Sequence, residues 1–298
     1  MRPDDWQLTD DPREFREWAG GFLGSRPALH TVLLTVLDAL CSRGRHLYSD
    51  EAPLFGVARG EDGRIGAAFL HTPPFPLHLS PVGVEGAEAL VARLAGVGHR
   101  LAGVSGEQGT AAGLAAAWQR QTGAAVRLTQ RQRLYELDEL SVPEPAPEGR
   151  ARVAGPADRE LLMRWYDAFK EAVGQSAGQG AGPWADGRIA QGGVTFWEAP
   201  DGVPVSMAGV TPESAGQVRV APVYTPAHLR GRGYAGAVTA QVSRAAVAGG
   251  AAHVLLFTDL ANPTSNALYQ RIGYRKVTDF AVWGSGTEPR RPASRGAA

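Results

Sequence analysis

The chain has a single cysteine among its 298 residues, Cys41. One thiol excludes an intramolecular disulfide and fits a reducing compartment, so a cytoplasmic location is expected. Cys41 falls in an apolar helical stretch, where a packed thiol is the simpler role. No run approaches the roughly 20 apolar residues that span a bilayer, and the acidic, polar N-terminus has no signal-peptide pattern. No membrane association is expected. Charge of one sign is also lacking, because Lys+Arg and Asp+Glu each number 30. Bulk electrostatics therefore gives no support to nucleic-acid binding. Lysine is scarce, and the basic residues are almost all arginine, a codon-composition trait without functional content. What remains is an ordinary globular composition, 44% hydrophobic, long enough for two cores.

The stretch around which the chain is organised runs from Val218 to Ala248. Val218–Thr225 has strand character, Pro226–Gly233 is a tight basic-glycine turn, and a helix opens at Tyr234-Ala235. That helix is expected to bury Val238, Val242 and Ala245 at helical spacing. Two glycines allow a sharp turn and close approach of a ligand. They leave N–H groups at a helix N-terminus, which suits a phosphate. Arg230 and Arg232 flank the turn and can add charge-assisted bonds to phosphate oxygens. A Walker loop is excluded, because no Gly-Lys-Ser/Thr follows. Gly231, Gly233 and Gly236 do match a dinucleotide fingerprint, but Pro226 to Arg230 separate them from the strand. Too little chain then follows Asp259 to complete a dinucleotide fold.

The next segment repeats the pattern of strand and helix. His253–Asp259 is a short apolar strand, Asn262-Pro263 forms an N-cap with proline at N1, and Gly273 stands where a C-cap glycine belongs. Leu268 and Ile272 share one face of this helix, Ser265 and Tyr269 another. Two elements now stand in order: Arg230-Gly231-Arg232-Gly233-Tyr234-Ala235, of the form R-x-x-G-x-A, and Asn262…Ser265…Leu268-Tyr269…Gly273-Tyr274. Together they resemble the acyl-CoA elements of the GNAT superfamily of N-acyltransferases. The resemblance is motif-level over Val220 to Tyr274 and topological elsewhere.

The order of elements supports a tandem. The first half reads helix, helix, hairpin, strand, helix, strand, helix, strand. Helices are expected at Pro12–Gly24 and Ala28–Ser42, with strands at Phe55–Arg59, Ile65–His71 and Phe75–Ser80. Helix Ala87–Leu94, a strand near Leu101–Val104, helix Ala111–Gln121 and strand Val126–Leu137 complete it. The second half repeats this order, with helices at Asp158–Val173 and Ala185–Gln191. The hairpin Val194–Glu198 and Pro204–Thr211 follows, and Lys276–Trp283 is the last strand. The expected fold is α+β: two GNAT-like units, each a mixed, mainly antiparallel sheet flanked by helices. Residues 1–140 form a degenerate unit, 141–150 a stiff proline-rich linker, 151–284 the catalytic unit and 285–298 a disordered tail. Gly174 to Gly182 is expected to be a mobile flap. The first half has no cradle, since Pro81–Ala87 lacks the arginine pair and Glu85 would repel a pyrophosphate.

The resemblance implies transfer of an acetyl group from acetyl-CoA to an amine acceptor within a ternary complex, with no metal. It assigns the co-substrate to Val223, Tyr224, Thr225, Arg230, Gly231, Arg232, Gly233, Tyr234, Ala235, Asn262, Ser265 and Tyr269. It further implies that the strands splay so that the pantetheine runs between them. Tyr269 is the expected general acid. The strand carries no carboxylate, so the base is open among Glu198, His228 and a relayed water. A non-catalytic acyl-CoA-binding module is the alternative function. Neither the acceptor amine nor the oligomeric state is legible.

Overall fold

The computed structural model describes residues 2–60, 62–174 and 180–285. The first half runs β1 (Trp6–Thr9), α1 (Pro12–Gly24), α2 (Thr31–Arg43), β2 (Leu54–Arg59), β3 (Ile65–His71), β4 (Leu77–Leu79), α3 (Val84–Gly96), β5 (Gly103–Glu107), α4 (Gln108–Thr122) and β6 (Val126–Leu137). The second runs β7 (Arg150–Val153), α5 (Arg159–Ala172), α6 (Ala181–Ala190), β8 (Val194–Glu198), β9 (Pro204–Val210), β10 (Gln217–Tyr224), α7 (Tyr234–Ala248), β11 (His253–Asp259), α8 (Pro263–Ile272) and β12 (Tyr274–Ser285). The two halves have the same order of elements, and the architecture is the expected α+β tandem.

All strands join one 12-stranded sheet in the order β1-β2-β3-β4-β5-β12-β6-β11-β10-β9-β8-β7. Among the described residues, only β4–β5 and β10–β11 pair in parallel. The two halves exchange their last strands. β12 lies between β5 and β6, and β6 lies between β12 and β11. Each half is thus completed by the other.

Alternation along the strands builds two faces. Ala58, Ala67 and Phe69 pack with α3 and α4, whereas Phe55, Val57, Ala68 and Leu70 pack with α1 and α2. In the second half, Val218, Val220, Val254 and Leu256 pack with α7 and α8, whereas Phe196 and Met207 pack with α5 and α6. Leu134, Leu255 and Phe280 face away from α7 and α8 and meet Ala28, which leads into α2. So α1, α2, α5 and α6 share one face, and α3, α4, α7 and α8 the other.

Several expectations are corrected. β1 and β7 are absent from the sequence reading because four-residue edge strands carry little periodicity; each is held by pairing to β2 or β8. β4 begins only at Leu77, because the Phe75 N–H turns back to the Thr72 carbonyl. β5 lies further along than expected, placed by its partners β4 and β12. α7 buries Val238 and Val242, but Ala245 is exposed on the solvent side of its last turns. Of the expected flap, 175–179 lie outside the described residues, as does the tail from 286; α6 begins at Ala181.

Candidate acyl-CoA site

β10 and β11 pair only at Gln217↔His253, Val218↔Val254 and Arg219↔Leu255. Beyond Arg219 the parallel ladder stops, and the two strands part. On its other side β10 slips register against β9 between Val220 and Val223, then resumes at Val223↔Ala208 and Tyr224↔Met207. A bulge of this kind bends a strand and increases its twist. The result is a gap whose β10 wall is Val220 to Tyr224, without a strand partner on the β11 side.

The strand end is anchored by hydroxyls. Ser206 Oγ donates to the Tyr224 carbonyl at 3.1 Å and lies 2.8 Å from Thr225 Oγ1. Arg230 Nε reaches back to the Thr225 carbonyl at 3.1 Å, so Arg230 braces the turn while the rest of its guanidinium remains exposed. Arg232 is exposed too, with Nη2 3.5 Å from the His228 carbonyl. Gly231 and Gly233 have φ of 78° and 83°, in the left-handed region that favours glycine. Gly233 is the N-cap of α7 and supplies no side-chain cap. Among the described residues, the first-turn N–H groups of Tyr234, Ala235 and Gly236 have no protein acceptor. An uncapped helix N-terminus beside two exposed arginines is a concentrated set of anion donors. The linker lies against it. Ideal Cβ positions at Gly233 and Gly236 would lie 3.7 Å from Pro147 and 3.5 Å from Pro143.

α8 forms the other bank. Asn262 caps it, its Oδ1 accepting from the Ser265 N–H at 3.0 Å, so the amide is occupied by the helix. Ser265 is half-buried. Tyr269 is 8% exposed and packs at 6.1 Å, edge to face, against Tyr274. The expected division of α8 is corrected here. Tyr269 and Ile272 are the residues in the core, and Leu268 lies half-buried against Gly236. Burial pushes the Tyr269 phenol up to about 12. Its hydroxyl makes no hydrogen bond to another described residue. A residue outside the sequence reading positions this helix: Tyr135, on the strand borrowed from the first half, donates from its hydroxyl to Asn266 Oδ1 at 3.0 Å and accepts from Gln270 Nε2 at 3.1 Å. No local signal marks Tyr135, because its partners lie more than a hundred residues away.

Glu198 is corrected as the candidate base. It is 4% exposed, and its two carboxylate oxygens are held by Arg152 at 2.5 Å and Arg150 at 3.3 Å. These arginines keep its carboxyl below the usual range, so it is a weak proton acceptor already committed to a structural pair. His228 is exposed on the cradle turn. β10 bears no carboxylate. Among the described residues, no group of three or more His, Cys, Asp and Glu side chains is placed to hold a metal.

The equivalent place in the first half is closed. β4 has three residues and leads within a few residues to α3, and Val82 N–H and Thr110 Oγ1 tie that turn to α4 at 3.2 Å. A Cβ on Gly106 of β5 would stand 2.9 Å from the Leu79 carbonyl, so these strands do not part.

An FR47-like protein model matches residues 211–283, which span the splayed strands, the cradle and α8. No curated protein matches the chain. Among solved structures, it is similar to a GCN5-related N-acetyltransferase from Sphaerobacter thermophilus, with 19% identity, TM-score 0.57, and 96% of this chain and 97% of that one covered. It is similar to a tandem GNAT protein from the clavulanic acid biosynthesis pathway, at 12% identity and TM-score 0.56 over 95% and 99% of the two chains. A Drosophila protein aligns with TM-score 0.65 and 15% identity over 94% and 97%.

Proposed function

We propose that this chain, whose two halves share one order of elements and whose second half carries the FR47-like match, is a GNAT-type N-acetyltransferase that moves an acetyl group from acetyl-CoA to an amine. The observation that carries this function is the uncapped N-terminus of α7, set behind two left-handed glycines beside the gap between β10 and β11. A pyrophosphate would be held by the N–H groups of Tyr234, Ala235 and Gly236, with charge from Arg230 and Arg232. The pantetheine arm would enter the gap, where the β10 backbone supplies strand-like donors and acceptors. Backbone N–H groups near Val223 to Thr225 are the proposed donors to the developing oxyanion. The amine would come from the opposite face, because α7 and α8 already cover one side of the gap.

Transfer breaks the thioester C–S bond and forms the amide C–N bond. The amine loses a proton, and the thiolate gains one. Tyr269 is the proposed donor at sulfur. With its phenol near 12, it stays protonated through the working range and acts by hydrogen bonding to the leaving thiolate, which then takes its proton from solvent. No side chain is assigned the base, and the amine proton passes to solvent.

Titration with acetyl-CoA should give one site per chain, since the turn after β4 is closed. Gly233→Glu places a side chain at positive φ and a negative charge against the pyrophosphate, and should abolish binding at concentrations that saturate the wild type. Release of free CoA with an amine panel completes the test. Undiminished binding by the Glu variant would end the cradle assignment.

A further inference from the structure

The sheet face opposite the cradle holds a charge arrangement that acetyl transfer alone does not need. Arg219 leaves β10 at its last paired position before the gap, and its side chain crosses to α2. There Nη1 donates to Thr31 Oγ1 at 3.0 Å and Nη2 to Thr35 Oγ1 at 3.3 Å. Arg188, from α6, donates through Nη1 to the Val210 carbonyl. Both side chains are half-buried. Burial, joined at Arg219 by repulsion from Arg188, brings both down to about 10. Among the described residues, neither has a carboxylate within ion-pairing distance, and most of the five N–H donors that an arginine carries are unspent.

The two arginines line a cavity of about 420 Å³ between α2 and α6, shared with Arg43, Tyr48 and Trp184. Two acids also reach its edge. Asp38 is already paired with Arg16 at 2.5 Å, and Glu213 is exposed on the loop after β9. A partly desolvated cation without a counter-charge is unfavourable, and a pair of them more so. Here the fold surrounds them with hydroxyls and a further arginine. The volume suits a small molecule. The position is informative as well, because Arg219 precedes by one residue the unpaired wall that begins at Val220. It also lies on the face from which the amine would arrive.

We propose that this cleft binds the carboxylate or phosphate group of a small molecule, and that the molecule is the acceptor itself, an amine that carries an oxyanion; its second part rests on the acetyl-transfer function proposed above. The guanidinium forks recognise the oxyanion, the Tyr48 hydroxyl supplies a neutral hydrogen bond, and the amine end projects toward the β10–β11 gap.

Calorimetry on the full chain, with inorganic phosphate and with amino acids paired to their carboxamides, tests the site. Arg188→Met and Arg219→Met should each weaken binding of phosphate and carboxylates about ten- to hundred-fold, the loss of charge-assisted bonds. Acetyl-CoA affinity should not change. Without ligand, both variants should melt at or above the wild-type temperature, because an uncompensated, partly desolvated charge is gone. In turnover, wild type should prefer each acid over its amide through KM, and Arg219→Met should lose that preference. Anion binding that depends on both arginines, without acetylation of any amine, supports the site and overturns the acetyl-transfer function. Acetylation of acids and amides alike, with no arginine-dependent anion binding, overturns the site and leaves acetyl transfer standing. A large drop in melting temperature with unchanged anion affinity would also overturn it, marking the pair as structural.

Discussion

Tyr269 is the residue to which the proposed transfer assigns the role of donor at sulfur. Spacing places it one turn beyond Ser265 on α8, and the structure adds burial to 8% exposure and a phenol near 12. Desolvation would raise a thiolate in the same gap as well, so the two groups are better matched than their solution values imply. Tyr269→Phe keeps the ring against Tyr274 and removes only the hydroxyl. We expect kcat to fall about a hundredfold, the lower end for loss of a general acid. Acetyl-CoA affinity and melting temperature should hardly move, since the hydroxyl has no protein partner. Below about pH 10 this residue should contribute no limb to the rate profile. Full kcat under single-turnover conditions would reduce Tyr269 to packing. Glu198 teaches the opposite lesson. A carboxylate on a neighbouring strand looks available in sequence, yet two arginines occupy it in the fold.

At the scale of elements, β6 and α8 are coupled through one phenol. Tyr135 holds Asn266 and Gln270, and the carboxamide of Asn266 bonds the Asp259 and Asn262 carbonyls at the start of the helix. The ring itself is fully buried against the α7 and α8 core. Tyr135→Phe removes two neutral hydrogen bonds, worth about 1–2 kcal/mol together, and should lower the melting temperature by a few degrees at about 2–4 °C per kcal/mol. The more diagnostic effect is on α8, whose displacement should raise KM for acetyl-CoA while Tyr269 remains intact. An unchanged KM would show that the rest of the α8 packing suffices. The cradle turn, by contrast, is a local device. Its glycines, its arginines and its uncapped helix start are adjacent in the chain and need little from the remainder.

The whole molecule is two units that cannot be separated at the linker. Removal of residues 1–140 would strip β6 from between β11 and β12, and the first half would lose β12 from the edge of β5. Leu134, Tyr135 and Leu255 are fully buried across these exchanged pairings. Each half alone would therefore expose apolar edges and unpaired backbone. We expect 1–140 and 141–298 made separately to aggregate, and to form a soluble complex when produced together. The intact chain should unfold in a single urea transition. Independent folding of either half would refute this picture.

Element order, the basic-glycine turn and the capped α8 were all legible in the chain, because periodicity, glycine conformation and capping act over a few residues. From these came the α+β tandem and the positions of the cradle turn and of Tyr269 on α8. What the sequence could not carry were relations between distant segments. The strand exchange, the anchoring of α8 by Tyr135, the engagement of Glu198 and the meeting of Arg188 with Arg219 all depend on pairings far apart in the chain. Local physics sets which residues turn, cap or alternate, while only the closed sheet decides which charges are left buried together and which strands finish each other's edges.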